Sequence, residues 1–134
     1  MAERKKILII DDDEDFRISI RTLLESNDYK VTEAESGKQG LQRLKSDKPD
    51  LIILDIMMET IDEGYLLNQV IKFQQEYEDF KNMPILMVSS IQEDPLSRFP
   101  AAAGQVDMIM PDYYFTKPVD IPKFLSLIEK LLNQ

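Results

Sequence analysis

Three short apolar runs, separated by segments of helical period, limit what this chain can fold into. Residues Ile7–Ile10, Leu51–Leu54 and Ile85–Val88 are continuously apolar, as strands buried on both faces of a parallel sheet are. We predict that the first of these strands covers Lys6 to Ile10. Between these runs apolar residues recur every three to four positions, which indicates helices. Alternation of buried strands with helices is typical of a parallel β-sheet that helices cover on both faces.

Two further segments complete the predicted sheet. Lys30–Ala34 alternates between polar and apolar residues, and Tyr113–Thr116 carries aromatic and hydroxyl groups. These segments suit the edges of the sheet, whereas the apolar runs suit its centre. The pattern predicts a flavodoxin-like α/β fold, a (βα)5 three-layer sandwich whose five-stranded parallel sheet has the order 2-1-3-4-5.

The helical segments are predicted from the spacing of apolar residues. They cover Asp13 to Ser26, Ser36 to Lys45, about Asp62 to Phe80, and a last helix that begins near Asp120. In the last helix we expect a buried stripe of six residues: Ile121, Phe124, Leu125, Ile128, Leu131 and Leu132. The fourth helix should be short or irregular, because the segment 91–112 contains Pro95, Pro100, Pro111 and Gly104.

Composition limits the class of protein. The 134 residues fit one domain, and we expect a single domain over 1–134 without an attached output domain. A net charge of −9 argues against direct nucleic-acid binding, which requires the opposite sign. Cysteine and histidine are absent, which excludes disulfides, thiolate ligands and a histidine base. No apolar run approaches the ~18 residues of a membrane span, and a cytoplasmic protein fits this composition.

Charged residues follow three of the predicted strands. Asp11 and Asp12 come directly after the first apolar run, Asp55 closes the second, and Lys117 follows the aromatic segment. Ligands of such folds lie at the carboxyl ends of the strands, where these residues meet. The acids that follow, Asp13 to Asp15, are of the kind that cap a helix.

The acidic run fits neither an EF-hand loop nor a phosphate-binding loop. An EF-hand loop requires glycine at its sixth position, which Phe16 occupies. A phosphate-binding loop requires glycines and backbone donors, whereas carboxylates would repel a phosphate. Oxygen ligands from Asp11, Asp12 and Asp55 instead suit Mg²⁺. An aspartate can also attack phosphorus to form an acyl phosphate, with Lys117 to neutralise charge and Ser89 to offer a hydroxyl. Taken alone, Ser89 is an ordinary residue at the end of a strand.

At these residues the chain resembles the response-regulator receiver domains of bacterial two-component signalling. The matching segments are Ile9-Ile10-Asp11-Asp12, Pro49 to Met58, Pro84 to Ser90, and Phe115-Thr116-Lys117-Pro118. They occur in the order of the family, and the likeness covers essentially the whole chain.

The resemblance implies roles for the charged residues. Asp55 would be the phosphorylated residue. Asp12 and Asp55 would ligate Mg²⁺ together with the backbone carbonyl of Met57, while Asp11 would act through a metal-bound water. Lys117 would pair with the phosphoryl oxygens, and the peptide bond between Lys117 and Pro118 would be cis.

The resemblance also implies a conformational switch. Ser89 would move toward the phosphoryl group, and the ring of Tyr114 would rotate with it. Tyr114 also fits simple packing at the edge of the sheet. The residues two positions past Asp55 and Ser89, Met57 and Ile91, are apolar here, so we expect slow self-dephosphorylation. Glu59 replaces a common proline of the family, which predicts a different loop after Asp55.

The function that follows from the resemblance is a switch rather than a turnover enzyme. A sensor histidine kinase or phosphotransfer protein would donate the phosphoryl group, and an unidentified downstream protein would respond. A homodimer is compatible with the resemblance. A haloacid-dehalogenase-type phosphatase would need a second acid at Met57. A degenerate receiver that acts as a constitutive interaction domain is the remaining alternative.

Overall fold

The computed structural model describes residues 4–55, 70–71, 80, 83–89 and 113–133. Five strands alternate with helices along these residues. The elements are β1 (Lys6–Ile10), α1 (Glu14–Glu25), β2 (Lys30–Ala34), α2 (Gly37–Asp47), β3 (Leu51–Asp55), β4 (Ile85–Ser89), β5 (Tyr113–Thr116) and α3 (Ile121–Leu132). Between β3 and β4, residues 70–71 are helical.

The strands form one parallel sheet in the order β2-β1-β3-β4-β5, which confirms the predicted order. The three apolar strands β1, β3 and β4 are central, and the strands with polar side chains are at the edges. Burial accounts for the arrangement, since a central strand must be apolar on both faces.

Two apolar cores, one on each face of the sheet, lie between the three predicted layers. Successive residues of β1 alternate between the cores, with Leu8 and Ile10 in one and Ile7 and Ile9 in the other. Helix α2 contributes to the first core. Helices α1 and α3 contribute to the second, through four side chains that lie at most 5% exposed: Ile20, Leu24, Phe124 and Ile128. Burial of each such side chain contributes about 1.5–3 kcal/mol.

Each of the three named helices begins after a capping side chain. Asp13, Ser36 and Asp120 accept a hydrogen bond from a backbone N–H three residues further on. The cap predicted at Asp120 is thus confirmed, and of the acids after Asp12 the capping role is confirmed for Asp13, while Glu14 and Asp15 lie exposed in the first turn of α1.

The predicted stripe of α3 is wrong at one position. Ile121 has the helical spacing of the buried residues, but its side chain is 48% exposed. The cause is its place in the chain: Asp120, Ile121, Pro122 and Lys123 are all exposed, so the first turn of α3 lies outside the core. Leu125 is half-buried, and the other four residues of the stripe are buried.

Some predicted features lie outside the described residues. They are most of the helix expected over about 62–80, the loop around Glu59, and the irregular fourth helix region within 91–112. Among the described helices, none has the length and apolar character that crossing a lipid bilayer demands.

Candidate functional site

The register of the sheet brings the charged residues to one edge. Ile10 of β1 pairs with Leu54 of β3, so the next residues along these two parallel strands, Asp11 and Asp55, lie side by side. On the other side of β3, Asp55 pairs with Val88, and Ser89 pairs with Thr116, the residue before Lys117. The site is therefore assembled at the carboxyl ends of β1, β3, β4 and β5.

Asp11 is fully buried and is held at every polar group. Its backbone N–H donates to the carbonyl of Ala34 (3.0 Å). Its carboxylate accepts from the backbone N–H of Asp13 at Oδ1 (2.9 Å) and from Nζ of Lys117 at Oδ2 (2.8 Å). A buried carboxylate without such partners would be strongly destabilising, so these contacts fix its position.

Arg17, on the second turn of α1, holds the backbone of Asp11. Its Nη1 donates to the carbonyl oxygen of Asp11 (2.6 Å), and its Nε donates to Glu33 on β2 (3.1 Å). Glu33 also accepts from Arg21 (2.6 Å). The arginine side chain is only 12% exposed, which reduces solvent screening of the pair. This contact was not predicted, because the sequence does not indicate which backbone carbonyl an arginine in α1 will contact.

Three carboxylates form a group that suits a metal ion. Oxygen atoms of Asp11, Asp12 and Asp55 lie within 4.8 Å of one another. Asp55 is buried (5% exposed) whereas Asp12 is exposed, so the group opens to solvent on the side of Asp12. Like charges this close repel each other, and a divalent cation would remove that repulsion. Hard oxygen donors are the ligands that Mg²⁺ prefers, so the residues present fit this ion.

Lys117 lies against the same group. Its Nζ is 2.8 Å from Oδ2 of Asp11 and 4.0 Å from Oδ2 of Asp55. Its peptide bond to Pro118 is cis, as the resemblance implied. A further neighbour of the ammonium is the ring of Phe16, whose centroid is 4.2 Å from Nζ.

The other predicted site residues are located only in part. Ser89 and Tyr114 lie in β4 and β5, and their side chains are outside the described residues. Met57 and Ile91 also lie outside them. The roles expected of these four residues stay predictions.

The comparisons with known proteins agree with this geometry. The family model of the response regulator receiver domain matches residues 7–129. PhoP, the alkaline phosphatase synthesis transcriptional regulatory protein of Bacillus subtilis (strain 168), is 33% identical over 97% of this chain and 49% of its own length. The polar-differentiation response regulator DivK of Brucella ovis is 25% identical, over 96% of this chain and 97% of its own.

A solved structure shows the same fold. The BeF3-activated N-terminal receiver domain of RstA from Klebsiella pneumoniae superimposes with a TM-score of 0.78 at 22% identity, covering 97% of this chain and all of that chain. The chain spans about half the length of several curated relatives that it matches, among them PhoP and the Streptomyces regulator CseB.

The class of protein is defined by its fold and site: a doubly wound parallel sheet with an acidic group and a lysine at the carboxyl ends of its strands. The chain belongs to the response regulator receiver domain family. Receiver domains are signalling modules of two-component systems, and phosphorylation switches them.

Proposed function

We propose that the chain is a phosphorylation-dependent switch that accepts a phosphoryl group on Asp55 in the presence of Mg²⁺. The observation that carries the proposal is the placement of Asp55. Its nearly buried carboxylate lies within 4.8 Å of two further carboxylates, and Nζ of Lys117 is 4.0 Å away. Phosphoryl transfer depends mainly on alignment and on neutralisation of charge, which such an arrangement supplies.

The acceptor step follows from this arrangement. A carboxylate oxygen of Asp55 forms a bond to phosphorus while the bond from phosphorus to the donor's imidazole nitrogen breaks. The electron pair of that bond returns to the imidazole of the donor. Asp11, Asp12 and Asp55, with the Met57 carbonyl, are the residues that would hold Mg²⁺, which when bound neutralises the charge of the phosphoryl oxygens.

Lys117 stabilises the product. The new acyl phosphate adds a charge of about −1.5 to −2. The ammonium of Lys117 is already within 4.0 Å of Asp55 and can pair with the phosphoryl oxygens. We further propose that Ser89 and Tyr114 respond to the phosphoryl group and alter the surface that a partner recognises.

The partners are proposed from the family. The donor would be a sensor histidine kinase or a phosphotransfer protein, and an unidentified downstream protein would read the phosphorylated state. Donors of this kind present their phosphohistidine in the cytoplasm, where we place the chain.

The acceptor role is tested by intact-mass spectrometry after incubation with acetyl phosphate. We expect a gain of one phosphoryl group that needs Mg²⁺ and is lost in Asp55→Asn. Asp28→Asn is the matched control, because it removes the same charge at a left-handed residue (φ 68°), a conformation that asparagine tolerates. A wild-type chain that gains no mass would contradict the proposal and favour a constitutive interaction domain.

A further inference from the structure

The ring of Phe16 lies beside the ammonium of Lys117. The distance from Nζ to the ring centroid is 4.2 Å, inside the ~6 Å range of a cation–π interaction. Phe16 is half-buried and packs against the core that α1 and α3 share. The core therefore limits the movement of the ring, and the ring forms part of the wall around the lysine.

Groups of two kinds lie close to the ammonium of Lys117 among the residues that the structure describes. They include the carboxylates of Asp11 at 2.8 Å and Asp55 at 4.0 Å, and the uncharged ring. A lysine side chain has many rotamers, so its ammonium is well placed only where the surroundings restrict it. The side chain is 17% exposed, which leaves the ammonium partly open to solvent.

An aromatic ring differs from a carboxylate as a partner for this lysine. Its quadrupole attracts the cation, but the ring carries no net charge. A third carboxylate at this place would hold the ammonium and would also repel an incoming phosphoryl group. The ring restricts the ammonium without that repulsion, so the positive charge stays available to the phosphoryl oxygens.

We propose that Phe16 is a positioning residue that holds the ammonium of Lys117 between Asp11 and Asp55. The consequence of this positioning is faster phosphoryl transfer, and that consequence rests on the proposed function of Asp55. Phe16 acts through Lys117. A leucine would keep the apolar contact with the core but would lose the cation–π interaction, whereas a tyrosine would keep both.

The first test measures the contact itself in Mg²⁺-free protein. We expect the ε-methylene proton resonance of Lys117, assigned by its loss in Lys117→Arg, to be shifted upfield by the ring of Phe16. The shift should disappear in Phe16→Leu and persist in Phe16→Tyr. Tyr29→Leu is the matched control: it removes a ring from the same core, next to the amino end of β2, and should leave the resonance unchanged.

The second test measures the consequence. With acetyl phosphate and saturating Mg²⁺, we expect Phe16→Leu to be phosphorylated about two- to fivefold more slowly than wild type, the change expected from loss of a partly exposed cation–π contact. Phe16→Tyr and Tyr29→Leu should react at close to the wild-type rate.

The outcomes separate this inference from the proposed function. An unshifted Lys117 resonance in wild type, or the same shift in Phe16→Leu, overturns the contact. A lost shift with an unchanged rate overturns the positioning role. If wild type accepts no phosphoryl group, the proposed function fails and the effect on transfer fails with it, while the resonance alone still decides whether Phe16 holds Lys117.

Discussion

At the scale of single residues, burial decides which polar side chains need partners. Asp11 is fully buried and has four hydrogen bonds to residues within the described part of the chain, whereas Asp12 beside it is exposed to solvent. Adjacent acids of the same type therefore differ in environment, and the carboxylate of Asp12 is the one in contact with solvent.

Tyr29 provides a prediction at this scale. Burial raises the pKa of its phenol above the ordinary value of about 10, and Glu129 raises it further. The unfolded chain then loses this proton at lower pH than the folded chain does. The stabilising contribution is complete below about pH 10 and is lost as the pH rises through the pKa of the folded state.

We therefore expect the free energy of unfolding to fall above about pH 10, and to fall less in Tyr29→Phe. Urea denaturation of both proteins at several pH values measures the difference. All other side chains are common to both proteins, so parallel curves would contradict the role of Tyr29.

At the scale of helices and strands, local sequence patterns predicted most of the fold. Each strand began at the predicted residue, because continuous apolar runs and edge-strand alternation both depend on local sequence. Ile121 shows the limit: its spacing matches the buried stripe of α3, but burial depends on which residues the rest of the fold covers. The contacts of Arg17 and Phe16 with the site were missed for the same reason, since they cross between elements.

The contact between α2 and β1 gives a prediction at this scale. A Cβ atom at Gly40 would lie 2.5 Å from Cδ1 and 3.0 Å from Cγ1 of Ile10, which is fully buried. We expect Gly40→Ala to destabilise the fold by up to about 2 kcal/mol, because overpacking costs about 1–3 kcal/mol and alanine regains about 1 kcal/mol of helix propensity.

A double-mutant cycle tests whether the cost of Gly40→Ala comes from the contact with Ile10. Ile10→Val removes the Cδ1 atom that the new methyl group would meet, so Gly40→Ala should cost less in that background. Urea denaturation of the four proteins measures the coupling. Strictly additive free energies would show that the methyl group of alanine does not meet Ile10.

At the scale of the whole molecule, the site exists only when the sheet is complete. Two of its carboxylates directly follow β1, the third is the last residue of β3, and its lysine directly follows the edge strand β5. The chain also carries a net charge of −9, so the acidic group lies in an unfavourable field. Folding without a cation therefore works against electrostatic repulsion, and a bound cation should stabilise the fold.

We expect Asp12→Asn to raise the melting temperature of the metal-free protein by about 2–5 °C, which corresponds to relief of about 1 kcal/mol of repulsion. Mg²⁺ at a hundredfold excess over its Kd should stabilise wild type by about 2.7 kcal/mol and the variant by much less. Calorimetry with Mg²⁺ or EDTA measures both effects. Asp28→Asn has the same net charge as Asp12→Asn and should respond to Mg²⁺ as wild type does. If Asp12→Asn also responded like wild type, Asp12 would be excluded as a ligand.

The ion pair of Asp11 with Lys117 joins residues 106 positions apart. During synthesis the ribosome adds the proposed acceptor Asp55 well before this lysine, and 62 further residues take about 3–12 s at ordinary elongation rates. A nascent chain thus carries its acceptor without the cation that completes the site. On the proposed function, unfinished copies of the protein are therefore kept from signalling until translation has passed β5 and added Lys117.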